Sequence, residues 1–171
     1  QPRWGYTLRA PVADSPFGHI IAPAWSVYGR VYTPGLFLHH GLTLAAAYQH
    51  SKTSDMTISV IDFQPRGYDR IAAAEYFAAS ADYMLPVAYP DWGLSGVFFL
   101  KRISLEMSFQ YARYRRYRSA VPTDIYTYGG AASFDIAWFR MPSEATTTLS
   151  VGIYKPRHDN VFVTWGFSVP L

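Results

Sequence analysis

Large apolar residues alternate with small or polar residues along much of this chain. The clearest case is the C-terminus, where the odd positions hold Val161, Val163, Trp165, Phe167, Val169 and Leu171. The intervening positions are mostly small or polar, and this two-residue period is that of a β-strand. The same period puts one apolar set on a single face further upstream: Val97, Phe99, Ile103, Leu105, Met107, Phe109 and Tyr111.

The alternation predicts about eight strands in one domain that spans residues 1–171. Their ranges are 4–10, 19–33, 40–51, 75–87, 97–113, 126–141, 145–155 and 160–171. Turn-forming residues separate them, as in Thr33-Pro34-Gly35. No helical periodicity of useful length appears, so the predicted class is an all-β, antiparallel fold.

The second face of these strands distinguishes a membrane barrel from a soluble one. It is dominated by Ala, Ser, Gly and Thr, which suit a lumen better than a solvated exterior. Aromatic residues make up 18% of the chain and charged residues only 16%, against about 25% in soluble domains. Several aromatic residues near strand ends are expected to form interfacial girdles: Trp25, Tyr48, Tyr83, Trp138, Tyr154 and Trp165. We therefore predict a transmembrane β-barrel, with a soluble β-sandwich as the alternative.

Localisation and partners follow from this class. A barrel of this kind belongs in the bacterial outer membrane, in contact with outer-membrane lipid and lipopolysaccharide. The chain has no cysteine, which excludes disulfides and thiolate metal sites. Its net charge of +3 is too small to indicate nucleic acid as a partner. No cofactor and no metal site are predicted.

The connections are expected to differ in length on the two sides of the membrane. With a periplasmic C-terminus, the longer connections 10–18, 52–74, 113–125 and 155–160 face outward. The shorter turns 34–39, 88–96 and 142–144 then lie in the periplasm.

The longest connection, at residues 52–74, contains Pro65-Arg66-Gly67-Tyr68-Asp69. Loops of this length in a compact domain are usually functional. Gly67 permits a tight turn with positive φ, which would present Arg66. Arg suits bidentate pairing with carboxylates, and three acidic residues are predicted on the lumen face: Asp82, Glu106 and Asp135. The alternative is an exposed turn with a solvated Arg66.

Two motifs together resemble a known family. Arg66-Gly67-Tyr68 precedes a strand that reads Asp82-Tyr83-Met84-Leu85-Pro86, and a further strand follows around Lys101 to Tyr111. This order is similar to that of the outer-membrane insertase and two-partner-secretion superfamily, the bacterial surface antigen-type barrels. The resemblance covers residues 61–171, which would be the C-terminal half of such a barrel.

The resemblance implies that the loop enters the lumen of a 16-stranded barrel and that its Arg pairs with inward acidic residues. It also implies a role in protein insertion or secretion. The chain departs from the family at Asp82, where Glu is usual, and at Gln110, where Asp is usual. Residues 1–171 contain nothing like the periplasmic repeats of the family.

A basic cluster occurs near the end of the fifth predicted strand, at Arg113, Arg115, Arg116 and Arg118. The interleaved tyrosines are compatible with stacking on nucleic-acid bases. On the predicted topology, however, the cluster lies at the outer surface, where lipid phosphates are nearer. A solvated strand extension is the alternative.

Enzymatic activity is not predicted. His50 next to Ser51, or His158 next to Asp159, could be recruited in a lipid A acyl-chain enzyme. Sequence neighbours on a strand point to opposite faces, however, and the same argument excludes His39-His40 as a chelating pair. The chain also has no Gly-x-Ser-x-Gly motif.

Two classes of function remain. The first is a module of a larger insertion or secretion barrel. The second is a self-contained eight-stranded barrel that acts as an anchor, adhesin or narrow pore. Small lumen residues would leave an eight-stranded interior underfilled unless a loop plugs it, and the first strand is short. We therefore expect the C-terminal half of a larger barrel.

Overall fold

The computed structural model describes residues 4–13, 24–37, 39–51, 63–69, 71, 73–90, 92–94, 97–117, 120–138 and 146–168. These residues contain ten strands: β1 (Gly5–Arg9), β2 (Val12–Ala13), β3 (Ala24–Pro34), β4 (Gly41–Ser51), β5 (Glu75–Ala88), β6 (Trp92–Leu94), β7 (Phe98–Arg115), β8 (Thr123–Trp138), β9 (Thr146–Pro156) and β10 (Phe162–Ser168). Within the described ranges, the chain has no helix of the length and apolarity that crossing a bilayer requires.

All ten strands belong to one antiparallel sheet. Its order is β1-β3-β4-β5-β7-β8-β9-β10, with β2 paired to β3 and β6 paired to β7. The all-β, antiparallel class predicted from the alternation is therefore confirmed. The closed barrel is not observed, because β1 and β10 end the strand order and do not pair with each other in the described part of the chain.

The strand bounds differ from the predicted ones at several points. Strands β2 and β6 are additional, since each is a short strand in a stretch assigned to a connection. The hairpin of β7 and β8 is longer than predicted and extends to the pair Tyr114 and Thr123. Residues 14–23, 52–62, 139–145 and 169–171 of the predicted strands and loops lie outside the described residues.

The two faces of the sheet have opposite compositions. One cross-strand row holds Leu105, Ala132, Val151 and Trp165 in register across β7 to β10. Leu105 and Val151 are each 40% exposed and Trp165 is 80% exposed, and we call this side the apolar face. The adjacent row holds Glu106, Ala131, Gly152 and Thr164, and we call that side the small-residue face.

A β-bulge at Lys101 reverses the alternation near the start of β7. Before the bulge, Phe99 pairs with Ala137 and therefore lies on the small-residue face. After it, Ile103 pairs with Phe134 on the apolar face. The expectation that Phe99 and Ile103 share a face is therefore wrong, because one extra residue in a strand inverts every side chain beyond it.

The position of Tyr154 also differs from the expectation. It was expected in an aromatic girdle, but it lies on the small-residue face and is only 3% exposed. Trp25 and Tyr48 do lie together on the apolar face, with ring centroids 5.4 Å apart.

The buried core lies where the loop segment before β5 covers the small-residue face. Ala47, Ala78 and Ala112, on three neighbouring strands, are at most 2% exposed. Three loop side chains pack against the buried cluster that contains these alanines: Phe63, Tyr68 and Ile71. Small strand residues therefore make room for a loop that brings its own aromatic side chains.

Candidate functional site

The candidate site is the loop segment 63–69 on the small-residue face. Its centre is Arg66, whose backbone is bound by side chains from two strands. The Arg66 N–H donates a 2.8 Å hydrogen bond to Oε1 of Gln110 on β7. The Arg66 carbonyl accepts a 2.7 Å hydrogen bond from Oγ1 of Thr127 on β8. The backbone at the loop tip thus finds partners that a buried peptide group requires.

The side chain of Arg66 links β7 to β9. Its Nη2 lies 3.3 Å from Oε1 of Glu106, and its Nη1 donates to the hydroxyl of Tyr154. The guanidinium carbon also lies 4.6 Å from the centre of the Tyr154 ring, in a cation–π contact. Arg66 and Glu106 are half-buried, so the pair is partly desolvated and its Coulomb energy is greater than at an exposed surface.

Gly67 forms the turn that places Arg66. Its φ is +86°, in the left-handed region that only Gly adopts without strain. A Cβ at this position would collide with the ring of Phe162 and lie 2.9 Å from Cγ of Pro156. The turn therefore requires Gly both for its backbone angle and for its close approach to β9 and β10.

Tyr68 fixes the other side of the loop tip. Its hydroxyl accepts a 3.0 Å hydrogen bond from the backbone N–H of Arg157 and lies 3.4 Å from the carbonyl oxygen of Tyr126. Nε2 of Gln64 donates to the Tyr68 carbonyl at 3.0 Å, which closes the loop on itself. Arg66, Gly67 and Tyr68 are thus all in contact with the strands.

The three acidic residues predicted as partners of Arg66 have different partners. Glu106 contacts Arg66, as described above. Asp82 accepts a 2.6 Å hydrogen bond from Oγ of Ser108. Asp135 lies 2.6 Å from Nη2 of Arg102. The small-residue face therefore carries separate polar networks, and among these three carboxylates Glu106 is the one in contact with the described residues of the loop.

Two arginines of the predicted basic cluster form ion pairs with different carboxylates. Arg113 lies 3.6 Å from a carboxylate oxygen of Asp124, and Arg115 lies 3.0 Å from one of Glu75. Arg116 is exposed beyond the end of β7. Arg118 lies outside the described residues.

The described histidines His40 and His50 lie in separate contacts. His50 Nδ1 lies 3.8 Å from Glu75, on the apolar face, whereas the neighbouring Ser51 points to the opposite face. His40 shares a 2.6 Å hydrogen bond with the hydroxyl of Tyr83. Among the described residues, no three His, Asp or Glu side chains are grouped closely enough to hold a metal ion.

Sequence reasoning missed three residues that hold the loop: Gln110, Thr127 and Tyr154. Each lies on the small-residue face, but their contacts with Arg66 depend on the register of β7, β8 and β9. The strand pattern does not give this register, in which Glu106, Ala131 and Gly152 share one row and Tyr154 lies close to it. Comparisons of the chain with protein-family models, curated proteins and solved structures find no match, so its own geometry carries the functional argument.

Proposed function

We propose that the chain forms an integral outer-membrane β-barrel module of a protein insertion or secretion system. The apolar face lies in lipid, and the loop residues 63–69 lie on the lumen side. The observation that carries this proposal is the inverted polarity of the sheet. Large apolar side chains are exposed, whereas the small and polar face is covered in part by the loop residues 63–69.

The extent of the apolar face supports membrane insertion over a soluble sandwich. Soluble monomers rarely expose a contiguous apolar patch of more than a few hundred Å². Here the patch continues across strands, as Phe109 at 50%, Ile153 at 58% and Val163 at 64% exposure indicate. A sandwich would cover these side chains with a second sheet, but the described strands all belong to one sheet.

The loop supports the more specific role in insertion or secretion. Arg66 reaches Glu106 from a connection 40 residues away and is held there by groups on three strands. In the superfamily that the motifs resemble, the corresponding loop lies in the lumen and pairs its Arg with inward carboxylates. Gln110, where the family tends to have Asp, accepts a hydrogen bond from the backbone of Arg66 here.

Two neighbouring residues at the middle of β9 test the membrane assignment. Val151 lies on the apolar face and Ser150 on the small-residue face. We expect Val151→Arg to lower the free energy of unfolding by about 2–4 kcal/mol, because it places a cation in the bilayer core. Ser150→Arg should cost much less, because its side chain faces the aqueous lumen.

The measurement is urea unfolding of protein folded into phosphatidylcholine vesicles, followed by tryptophan fluorescence. Equal costs for the two variants would contradict the assignment of the faces. A wild-type protein that stays monodisperse without detergent or lipid would contradict membrane insertion itself.

A further inference from the structure

Basic side chains lie at the end of the apolar face where β7, β8 and β9 meet the loop tip. Arg113 pairs in register with Asp124, and Lys155 pairs in register with Tyr128. Tyr128 belongs to the apolar face and is 49% exposed, so Lys155 projects from that same face. Arg157 follows β9 directly and is also exposed.

Three basic side chains at this corner are accompanied by two carboxylates, those of Asp124 and of Asp159 in the turn after β9. Arg113 has Asp124 within 3.6 Å, whereas neither Lys155 nor Arg157 forms an ion pair with a carboxylate in the described part of the chain. The neighbouring corner, on β4, β5 and β7, is different, because Glu75 there balances Arg115. Lys155 and Arg157 therefore remain available to an anionic ligand at the corner of β8 and β9.

Aromatic residues lie next to these cations on the apolar face. Tyr126 is stacked against Phe109 and Tyr128, with ring centroids 6.4 and 6.5 Å apart. The Arg157 guanidinium carbon lies 5.6 Å from the centre of the Tyr126 ring. Lys155 thus lies in register with the aromatic pair Phe109 and Tyr128, and Arg113 lies beyond this row, so cations and aromatic rings share the end of the face, as they do at the interface of a bilayer leaflet.

We propose that Arg113, Lys155 and Arg157 form a binding surface for the phosphate groups of a membrane glycolipid, of the lipid A type, in the outer leaflet. The proposal rests on the proposed function, since it requires the apolar face to lie in lipid. Arginine side chains can donate two parallel hydrogen bonds to a phosphate, and Lys155 adds a point charge. The acyl chains of the bound lipid would lie along Tyr128 and the aliphatic rows beyond it.

The test is lipid selection by the full chain in vesicles. Protein is folded into phosphatidylcholine vesicles with a minor fraction of lipid A, extracted in mild detergent, and analysed by native mass spectrometry for retained lipid A. Lys155→Gln and Arg157→Gln should each lower lipid A retention about fivefold, the effect of one cation near an anionic membrane surface. Lys101→Gln is the matched control, since it removes one cation at the opposite end of β7 and should leave retention unchanged.

The outcomes separate this inference from the proposed function. Flotation of the vesicles reports membrane integration, and its loss for the wild type would overturn the proposed function. Normal flotation with equal lipid A retention in all variants would overturn the lipid site alone. Displacement of lipid A by inorganic phosphate at millimolar concentration would assign the cations to a soluble anion instead, and would also overturn the proposal.

Discussion

Single residues decide whether the loop can lie on the sheet at all, and Gly67 is the most restrictive of them. Its φ of +86° and the proximity of Phe162 and Pro156 leave no space for a side chain. The requirement for Gly in a tight turn can be predicted from the sequence Arg66-Gly67-Tyr68. The collision with Phe162 cannot, because it depends on how β9 and β10 pair 95 residues further along the chain.

Gly67→Ala is expected to destabilise the loop by about 1–3 kcal/mol, from the left-handed backbone and the displaced neighbours. Gly29→Ala is a matched control, since a Cβ there meets only the end of Leu8 at 3.8 Å. Limited proteolysis of the loop in membrane-embedded protein measures the difference. Equal protection of the two variants would show that the loop is not held by the turn at Gly67.

At the scale of elements, the two-residue period predicts the strands but not their irregularities. Phe98, Phe99 and Leu100 are three successive apolar residues before the bulge at Lys101, so the alternation does not show which of them faces which way. The charged Lys101 interrupts the apolar set, but such an interruption does not by itself indicate an extra residue. The two-residue period is enough to predict that a strand exists. The face on which each side chain lies near a bulge depends on how the strands pair.

Deletion of Lys101 is therefore expected to be tolerated better than deletion of a paired residue of β7. Without Lys101, Leu100 and Arg102 become neighbours and keep their register partners on β8, so every side chain stays on its face. Deletion of Leu105 instead moves the residues on one side of the gap to the opposite face, at about 1.5–3 kcal/mol for each large side chain that leaves its environment. Urea unfolding in vesicles compares the two deletions, and similar midpoints would mean that Lys101 is not the extra residue of the bulge.

At the scale of the whole molecule, the fold class was accessible from the sequence because both faces are strongly biased. The strand register could not be predicted from the sequence, and neither could the separation of the acidic residues into different hydrogen-bond networks. Three acidic residues lie on the same face of the sheet: Asp82, Glu106 and Asp135. The register of β5, β7 and β8 determines that Glu106 is the one that contacts Arg66. Closure of the sheet is likewise a property of strand edges rather than of composition.

Among the described strands, β1 and β10 each have one edge without a partner, which leads to a prediction about closure. In lipid, unpaired backbone groups at a strand edge are too costly to persist, so both edges require partners. Strand β1 has five residues, whereas β7 has 18, so β1 offers β10 a short edge. We therefore expect both edges to pair with strands other than each other, as in the larger barrel of the proposed function.

Engineered disulfides can measure this, because the chain contains no cysteine of its own. Thr7→Cys combined in turn with Thr164→Cys, Gly166→Cys or Ser168→Cys places one thiol on each edge strand, on the small-residue face. None of these pairs should form an intramolecular disulfide in membrane-embedded protein under mild oxidation. The pair Ser150→Cys and Gly166→Cys, which are register partners on β9 and β10, should crosslink readily as the positive control. An intramolecular bridge from residue 7 to any of the three positions on β10 would show that the chain closes on itself, and would favour the self-contained eight-stranded barrel.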